Sequence, residues 1–376
     1  MKIPFGKPII DKNEFNNLKN VLNSNILTHG PISKEFEKKF SDFTKLKNSI
    51  TTSSCTSALY LAYKIIGLKK GDEFIVPAQT HVATINAGLS LGAKPVFVDA
   101  SSKDGNINIS KIKAKISKKT KCLTIVHFLG KPIDIKKIKK ITDEYKIRLV
   151  EDCALSLGAK YYDKHVGYYS DFACFSFYPA KHITTGDGGM LYCKKKNDLK
   201  KAELLRGFGV NKTFFERKVP GIYDVIECGL NFRLSDINSS IGIAQLKKLN
   251  FFLKRREKNY RMLAKNLKTI QSIRLLNIDS EKNLKSSYYC LSFIVKNKTR
   301  AQRDKYLSIL TKKGIGCSVY YPRAIMDYTY FKKKILTKEK FDYAREISDK
   351  SICIPTGPHL NLKHINYMIK EIKKIF

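Results

Sequence analysis

Acidic residues are scarce in this chain: 33 Asp and Glu stand against 71 Lys and Arg, a formal charge of +38 over 376 residues. Long apolar runs are absent. No stretch approaches the roughly 18 uninterrupted apolar residues of a membrane helix. The segment from Met1 to Asp11 carries Lys2 and Lys7 with no apolar run behind them, which does not read as a secretory signal. A cytoplasmic protein without a membrane partner is therefore expected. The nine cysteines are odd in number and none forms a Cys-x-x-Cys pair. Several, such as Cys174, lie within apolar runs. Reduced core thiols are expected, with neither disulfides nor a metal site.

The lysines are scattered, as in Lys69-Lys70, Lys118-Lys119 and Lys194 to Lys196. No arginine-rich arm, zinc-finger spacing or aromatic RNA-binding signature accompanies them. The charge reads as a solvated surface, and no nucleic-acid partner is expected. An anionic small substrate would suffice for any specific role. Hydrophobic residues make up 43% of the chain, enough for a sizeable core. At roughly 100–200 residues per domain, the length suggests two domains.

From about residue 45, short apolar runs alternate with helical stretches. Expected strands are Glu73–Pro77, Pro95–Asp99, Cys122–His127, Arg148–Asp152, Asp171–Phe177 and Gly189–Cys193, with amphipathic segments such as Ser57–Ile66 and Ile133–Tyr145 between them. This pattern predicts an α/β layer with a mainly parallel sheet, where ligands bind at the carboxyl ends of strands. Ser235-Asp236 predicts a helix start, and the helix continues to about Leu267. The remainder reads as strand Tyr288–Val295, helix Ala301–Lys313, strand Cys317–Tyr321, helix Phe341–Lys350 and helix Leu362–Ile375. The expected division is a large domain over 1–250 and a small α+β domain over 251–376.

Three segments carry chemistry. In the first, Phe175 to Gly189, an apolar strand ends near Ser176, Lys181 follows five residues later, and a glycine-rich turn comes next. A lysine there can bond a cofactor aldehyde, although lysine is common in this chain. The second is Leu149-Val-Glu-Asp152, a strand ending in carboxylates. Such an aspartate can pair with a protonated ring nitrogen, or equally cap a helix or bind a metal. The third, Thr51 to Ala58, gathers hydroxyls and N–H groups at a helix start, which suits a phosphate or is ordinary capping.

Taken together, these segments resemble the DegT/StrS family of sugar-nucleotide aminotransferases, within the aspartate-aminotransferase (type I) fold of pyridoxal 5'-phosphate (PLP) enzymes. The resemblance spans nearly the whole chain. It runs through Ile3 to Gly6, Leu27 to Pro31, Pro77 to Thr84, Pro95 to Asp99, Val126 to Pro132, Gly229 to Asp236, Ile241 to Leu246, Val319 to Pro322 and Ile354-Pro355. It implies a large domain with a seven-stranded, mainly parallel sheet and a small C-terminal domain. It also implies that Lys181 is the Schiff-base lysine and proton shuttle, and that Asp152 partners the pyridine nitrogen. Ser176, Cys55, Thr56 and Ser57 would hold the phosphate, and His81 would stack on the ring. Asn231 would reach the phosphate of a second subunit, which implies a homodimer with shared sites. Gly30, Arg233 and Tyr320 are candidate substrate contacts. Glutamate is the implied amino donor and a nucleotide-linked keto-deoxy sugar the acceptor, for polysaccharide or other amino-sugar glycoconjugates.

The chain departs from the family pattern at four places. Leu155 stands where glutamine is usual, Cys55 replaces a glycine, Asp187 replaces a glutamate, and Tyr320 stands where histidine is frequent. Two other functions stay open at this level. One is a sugar dehydratase of the same fold, whose Schiff-base lysine is typically histidine. The other is a non-catalytic regulatory or nucleic-acid-binding relative, against which the set Lys181, Asp152 and Ser176 argues.

Overall fold

The computed structural model describes residues 1–28, 30–212, 216–276, 283–335 and 339–376. Seven strands form the principal sheet: β1 (Ser49–Thr52), β2 (Glu73–Pro77), β3 (Lys94–Val98), β4 (Thr120–Val126), β5 (Arg148–Asp152), β8 (Phe172–Ser176) and β9 (Gly189–Cys193). Between β5 and β8 in the chain lie two short strands, β6 (Lys160–Tyr161) and β7 (Lys164–His165), which with β11 (Leu284–Lys285) make a separate ribbon. The large sheet has the order β1-β9-β8-β5-β4-β2-β3. Only β9 runs against the others, pairing antiparallel with both β1 and β8. The sheet is therefore mainly parallel, as the alternation of apolar runs and helices predicted.

Side-chain alternation divides the sheet into two apolar faces. On β8, Phe172 and Cys174 enter the core beneath helix α3 (Cys55–Ile66), while Ala173 and Phe175 enter the opposite core with Phe36 and Phe40. Phe36 and Phe40 belong to α2 (Pro31–Thr44), which follows α1 (Lys12–Leu22). Their rings meet those of Phe175 and Phe177 at 5.1–6.1 Å. Each buried ring contributes roughly 1.5–3 kcal/mol. Helix α4 (Val82–Leu89) follows β2. Helix α5 (Ile135–Glu144) places Ile138 and Ile141 on Leu123, Ile125 and Leu149. Helix α6 (Lys196–Arg206) follows β9.

Helix α7 (Asp236–Leu267) has Ser235 as its N-cap, which accepts from the Asn238 N–H. Its first half packs through Ile243, Leu246 and Leu249 on the large sheet's core. Its second half contributes Leu263 and Leu267 to another core. That core is built on a three-stranded antiparallel sheet of β10 (Ile273–Leu276), β12 (Cys290–Val295) and β13 (Ser351–Pro355), with β12 central. Helices α8 (Arg300–Lys312), α9 (Thr329–Lys334), α10 (Asp342–Lys350) and α11 (Leu362–Ile375) complete the C-terminal half. The N-terminal Ile3 also joins this core, bridging to Ile315, and its carbonyl accepts the Gly316 N–H at 2.7 Å. Gly314 is required there: at φ +76° it already takes a left-handed turn, and a Cβ would lie 2.0 Å from the Met1 carbonyl oxygen.

One expected strand is corrected. Within Cys317–Tyr321, Ser318 makes a single bridge to Cys353. The chain then leaves the small sheet, and the Tyr320 carbonyl accepts from Gln79 Nε2, just past β2 of the large sheet, at 2.9 Å. The apolar alternation there reflects contact with two cores rather than strand pairing. All nine cysteines are unpaired. Among the described residues, no helix is long and apolar enough to cross a membrane.

Candidate active site

Strand register brings the chemically interesting residues to one edge of the large sheet. Thr52 pairs with Gly189, Gly189 with Ser176, and Asp152 with both Cys174 and Val126. With strands roughly 4.8 Å apart, this sets the ends of β1, β8 and β5 side by side. The loop after β8 carries Lys181, whose N–H returns to the Tyr178 carbonyl. The β2–α4 connection ends at His81, the N-cap of α4.

Asp152 is 4% exposed. Its oxygens accept from the Ala154 N–H at 3.1 Å and from Thr84 Oγ1 at 2.8 Å. Among the described residues no cation pairs with it, so a buried carboxylate stands with neutral donors only. Burial pulls the Lys181 amine below the usual lysine range, against the opposing pull of Cys55 and Asp152. A larger fraction of that nitrogen is therefore neutral and nucleophilic than in an exposed lysine. The charges of Asp152 and Lys181 both act on His81, whose pKa is lowered chiefly by burial. The strand ends and the connections that follow them bring Lys181, Asp152, Cys55 and His81 to the same edge of the sheet.

The start of α3 forms a cup. Ser54 caps it, taking the Ser57 N–H at 3.0 Å on its hydroxyl and the Ala58 N–H at 3.1 Å on its carbonyl. The Ser57 hydroxyl lies 2.8 Å from that of Ser53. The N–H groups of Cys55 and Thr56 have no acceptor among the described residues, which leaves the helix's positive end free for an anion. Gly189 underlies this cup. A Cβ there would come within 2.5–2.7 Å of the Ser54–Cys55 backbone, so only glycine lets the strand approach. Burial pushes the Cys55 thiol well up, keeping it protonated.

Aromatic side chains line the C-terminal side. His81 meets the Tyr321 ring edge-on at 5.6 Å. Tyr320 bonds Tyr289 hydroxyl to hydroxyl at 2.8 Å and stacks on Phe5. Leu155 is buried in the core, and its carbonyl accepts a hydrogen bond from Ser287 Oγ at 2.9 Å. Asp187 is exposed and accepts from the Gly188 N–H.

Asn231, Gly30 and Arg233 lie elsewhere. Asn231 is exposed beside Gly207, to which it bridges. Gly30 and Arg233 share a cavity of about 550 Å³ with Lys34 and Arg206, which none of the cofactor candidates line. Three features escaped the sequence reading. Thr84 and Tyr289 carry no local signal, because each acts on a residue distant in the chain. The third is a buried cluster of His127, Glu151 and Cys153. His127 Nε2 lies 2.7 Å from Glu151 Oε2, which also takes the Gly167 N–H, so hydrogen bonding accounts for that carboxylate oxygen.

The family model described as the DegT/DnrJ/EryC1/StrS aminotransferase family matches residues 8–373. A Campylobacter jejuni protein named UDP-4-amino-4,6-dideoxy-N-acetyl-beta-L-altrosamine transaminase is 31% identical over 96% of this chain and 93% of its own. GDP-perosamine synthase of Escherichia coli O157:H7 is 30% identical over 100% of this chain and 98% of its own. A Streptococcus pneumoniae protein, Spr1654, described as a sugar aminotransferase and solved in its PMP form, superposes with a TM-score of 0.93. It is 25% identical and covers 100% of this chain and 98% of its own.

Proposed function

This chain belongs to the DegT/DnrJ/EryC1/StrS aminotransferase family, and we propose that it moves the amino group of glutamate onto a keto-deoxy sugar carried on a nucleotide. It is a PLP-dependent aminotransferase. Relatives of nearly equal identity are named for UDP-linked and GDP-linked sugars, which supports the nucleotide-sugar class while leaving the base open.

The residues fit the cofactor. The buried Asp152 carboxylate, without a cation of its own, suits a protonated pyridine nitrogen. The free N–H groups at the start of α3, with Thr56, Ser57 and Ser176, suit a phosphate, and Cys55 sits at their rim. His81 would flank the ring. PLP, when bound, supplies a carbon that carries the amino group between donor and acceptor, and a ring that withdraws electrons from the carbon losing its proton. Lys181 would hold the cofactor through Nζ. Once released, the same nitrogen would take a proton from the donor's carbon and deliver one to the sugar carbon. Its lowered pKa favours that exchange near neutrality.

A second copy of the chain completes this reading. Asn231 is exposed, and the nearby excursion from Phe208 to Leu230 presents Val219, Ile222, Val225 and Ile226 to solvent. Apolar side chains gathered in this way favour a partner surface. Gly30, Arg233 and Tyr320 are kept as substrate contacts.

The observation that carries the proposal is the meeting of Lys181 and Asp152 at the carboxyl edge of the sheet in a chain of this family. The test incubates the protein with PLP, glutamate and UDP-, GDP- or dTDP-linked 4-keto-6-deoxy sugars. Mass spectrometry should find an aminated sugar nucleotide and 2-oxoglutarate. Production of 2-oxoglutarate without any aminated sugar would reject the acceptor class. Amination by another amino acid but not by glutamate would reject the donor.

A further inference from the structure

Lys181, half-buried, holds its amine without a polar seat. Among the described residues, Nζ has no hydrogen-bond acceptor and no ion pair, and the contact it makes is with the ring of Tyr289, 5.6 Å from the centroid. That ring is fixed. Tyr289 is 3% exposed. Its hydroxyl bonds that of Tyr320 at 2.8 Å, and its carbonyl accepts from Arg256 Nη1 at 2.8 Å and Thr356 Oγ1 at 3.1 Å. The rings of His182 and Tyr320 lie 5.8 and 5.5 Å from it.

We propose that Tyr289 is a positioning residue for Lys181, its π face seating the lysine nitrogen whenever that nitrogen carries positive charge. This rests on Lys181 being the cofactor-holding lysine. A lysine that alternates between holding a cofactor and shuttling a proton needs a seat that does not compete for either task. A carboxylate would grip the ammonium and raise its pKa by units. An alkyl wall would leave a buried cation unsupported. An aromatic face attracts the charge moderately and without a directed hydrogen bond, so the nitrogen can still swing. Other ionisable groups face the same nitrogen. Asp152 on β5 supports its charge, while the protonated Cys55 on α3, His81 at α4, the adjacent His182 and Arg256 on α7, itself against the Tyr289 ring, do not. The ring of Tyr289 is therefore one of two supports, with Asp152, and its removal shifts the balance measurably.

The test is a pH titration of the visible absorbance of the resting PLP-bound enzyme, which reads the protonation of the lysine-held cofactor without turnover. Tyr289→Phe keeps the face and loses the hydroxyl, so its midpoint should match the parent. Tyr289→Leu should lower the midpoint by about half to one pH unit, the size of a partly desolvated cation–π contact. Because Tyr289 is buried, a second variant carries pentafluorophenylalanine at 289, which preserves ring size and reverses the face's charge; it should lower the midpoint likewise. Equal midpoints for Tyr289→Phe and the fluorinated variant would overturn the role of Tyr289 while leaving Lys181 in place. Absence of any band in the unaltered protein supplied with PLP would overturn both.

Discussion

Thr84 Oγ1 donates a 2.8 Å hydrogen bond to Asp152 Oδ2, joining the first turn of α4 to the end of β5 across 68 residues. Thr84 is fully buried, and its hydroxyl also lies 2.9 Å from that of Thr80. With the Ala154 N–H on the other oxygen, the carboxylate is held in one plane by two neutral donors. Thr84→Val removes one of them with little change of volume. A hydrogen bond to a charged group is worth about 1.5–3 kcal/mol. Part of that should appear as a PLP dissociation constant raised on the order of tenfold. Titrating the cofactor-free protein with PLP checks this. An unchanged constant would mean that the orientation of Asp152 owes nothing to Thr84.

Cys55 offers a second readout of the cup. Its thiol lies where Lys181 and Asp152 both act on it, and burial holds it protonated and slow to react. Bound PLP should slow alkylation of Cys55 several-fold, as followed by peptide mass mapping. Equal labelling of Cys55 with and without PLP would place the phosphate somewhere other than the start of α3.

Legibility in the sequence follows how local each determinant is. β2, β5 and β9 have the expected limits because each is an apolar run of strand length between turns. β1 was missed: Ser49 to Thr52 looks polar, yet all four residues are buried. The hydroxyl and N–H of Thr51 are satisfied by Glu37 Oε1 at 2.9 Å, so hydrogen bonds across elements stand in for apolarity. The spacing of Ser176 and Lys181 was readable because one strand exit sets it. Thr84 and Tyr289 were not, since their partners arrive through sheet register and through the packing of β12 against the loop after β8. Cys317–Tyr321 misled for the converse reason: its apolar side chains serve two cores at once.

His165 predicts how stability responds to acid. It is 5% exposed, with Nε2 accepting the Gly158 N–H at 2.8 Å and Nδ1 donating to the Val166 carbonyl at 2.7 Å. Both ring nitrogens are committed to the neutral form, and burial lowers the pKa to about 4 from 6.5. Between those values the unfolded chain binds more protons than the folded one, so stability rises with pH across that window and falls as pH drops from 6.5 towards 4. The full loss from this one group is on the order of 3 kcal/mol. His165→Gln should start less stable at pH 7 and lose less on acidification, as measured by urea midpoints from pH 7 to 4.5. Parallel curves for the two proteins would remove His165 as the cause.

The excursion from Phe208 to Leu230 carries the prediction about assembly. Among its described residues, Val210 bridges to Val225, the Asn211 N–H donates to the Asp224 carbonyl, and the Ile226 N–H donates to the Gly209 carbonyl. Yet Ile222 and Ile226 are 63% and 59% exposed. A backbone that holds branched apolar side chains in water is stabilised by a surface that covers them, at roughly 1.5–3 kcal/mol for each one fully buried. Asn231 follows directly, so the same partner would receive its amide near the phosphate. The pair Ile222→Asp and Ile226→Asp touches no residue of the Lys181 cluster. The doubly substituted protein should sediment as a monomer where the parent is a dimer, and should bind PLP more weakly for want of the second subunit's Asn231. Asn231→Ala alone should keep the dimer and lose only the affinity. A double variant that stays dimeric with unaltered PLP affinity would reject the arm as the subunit contact, and a parent that is itself monomeric would reject the shared site.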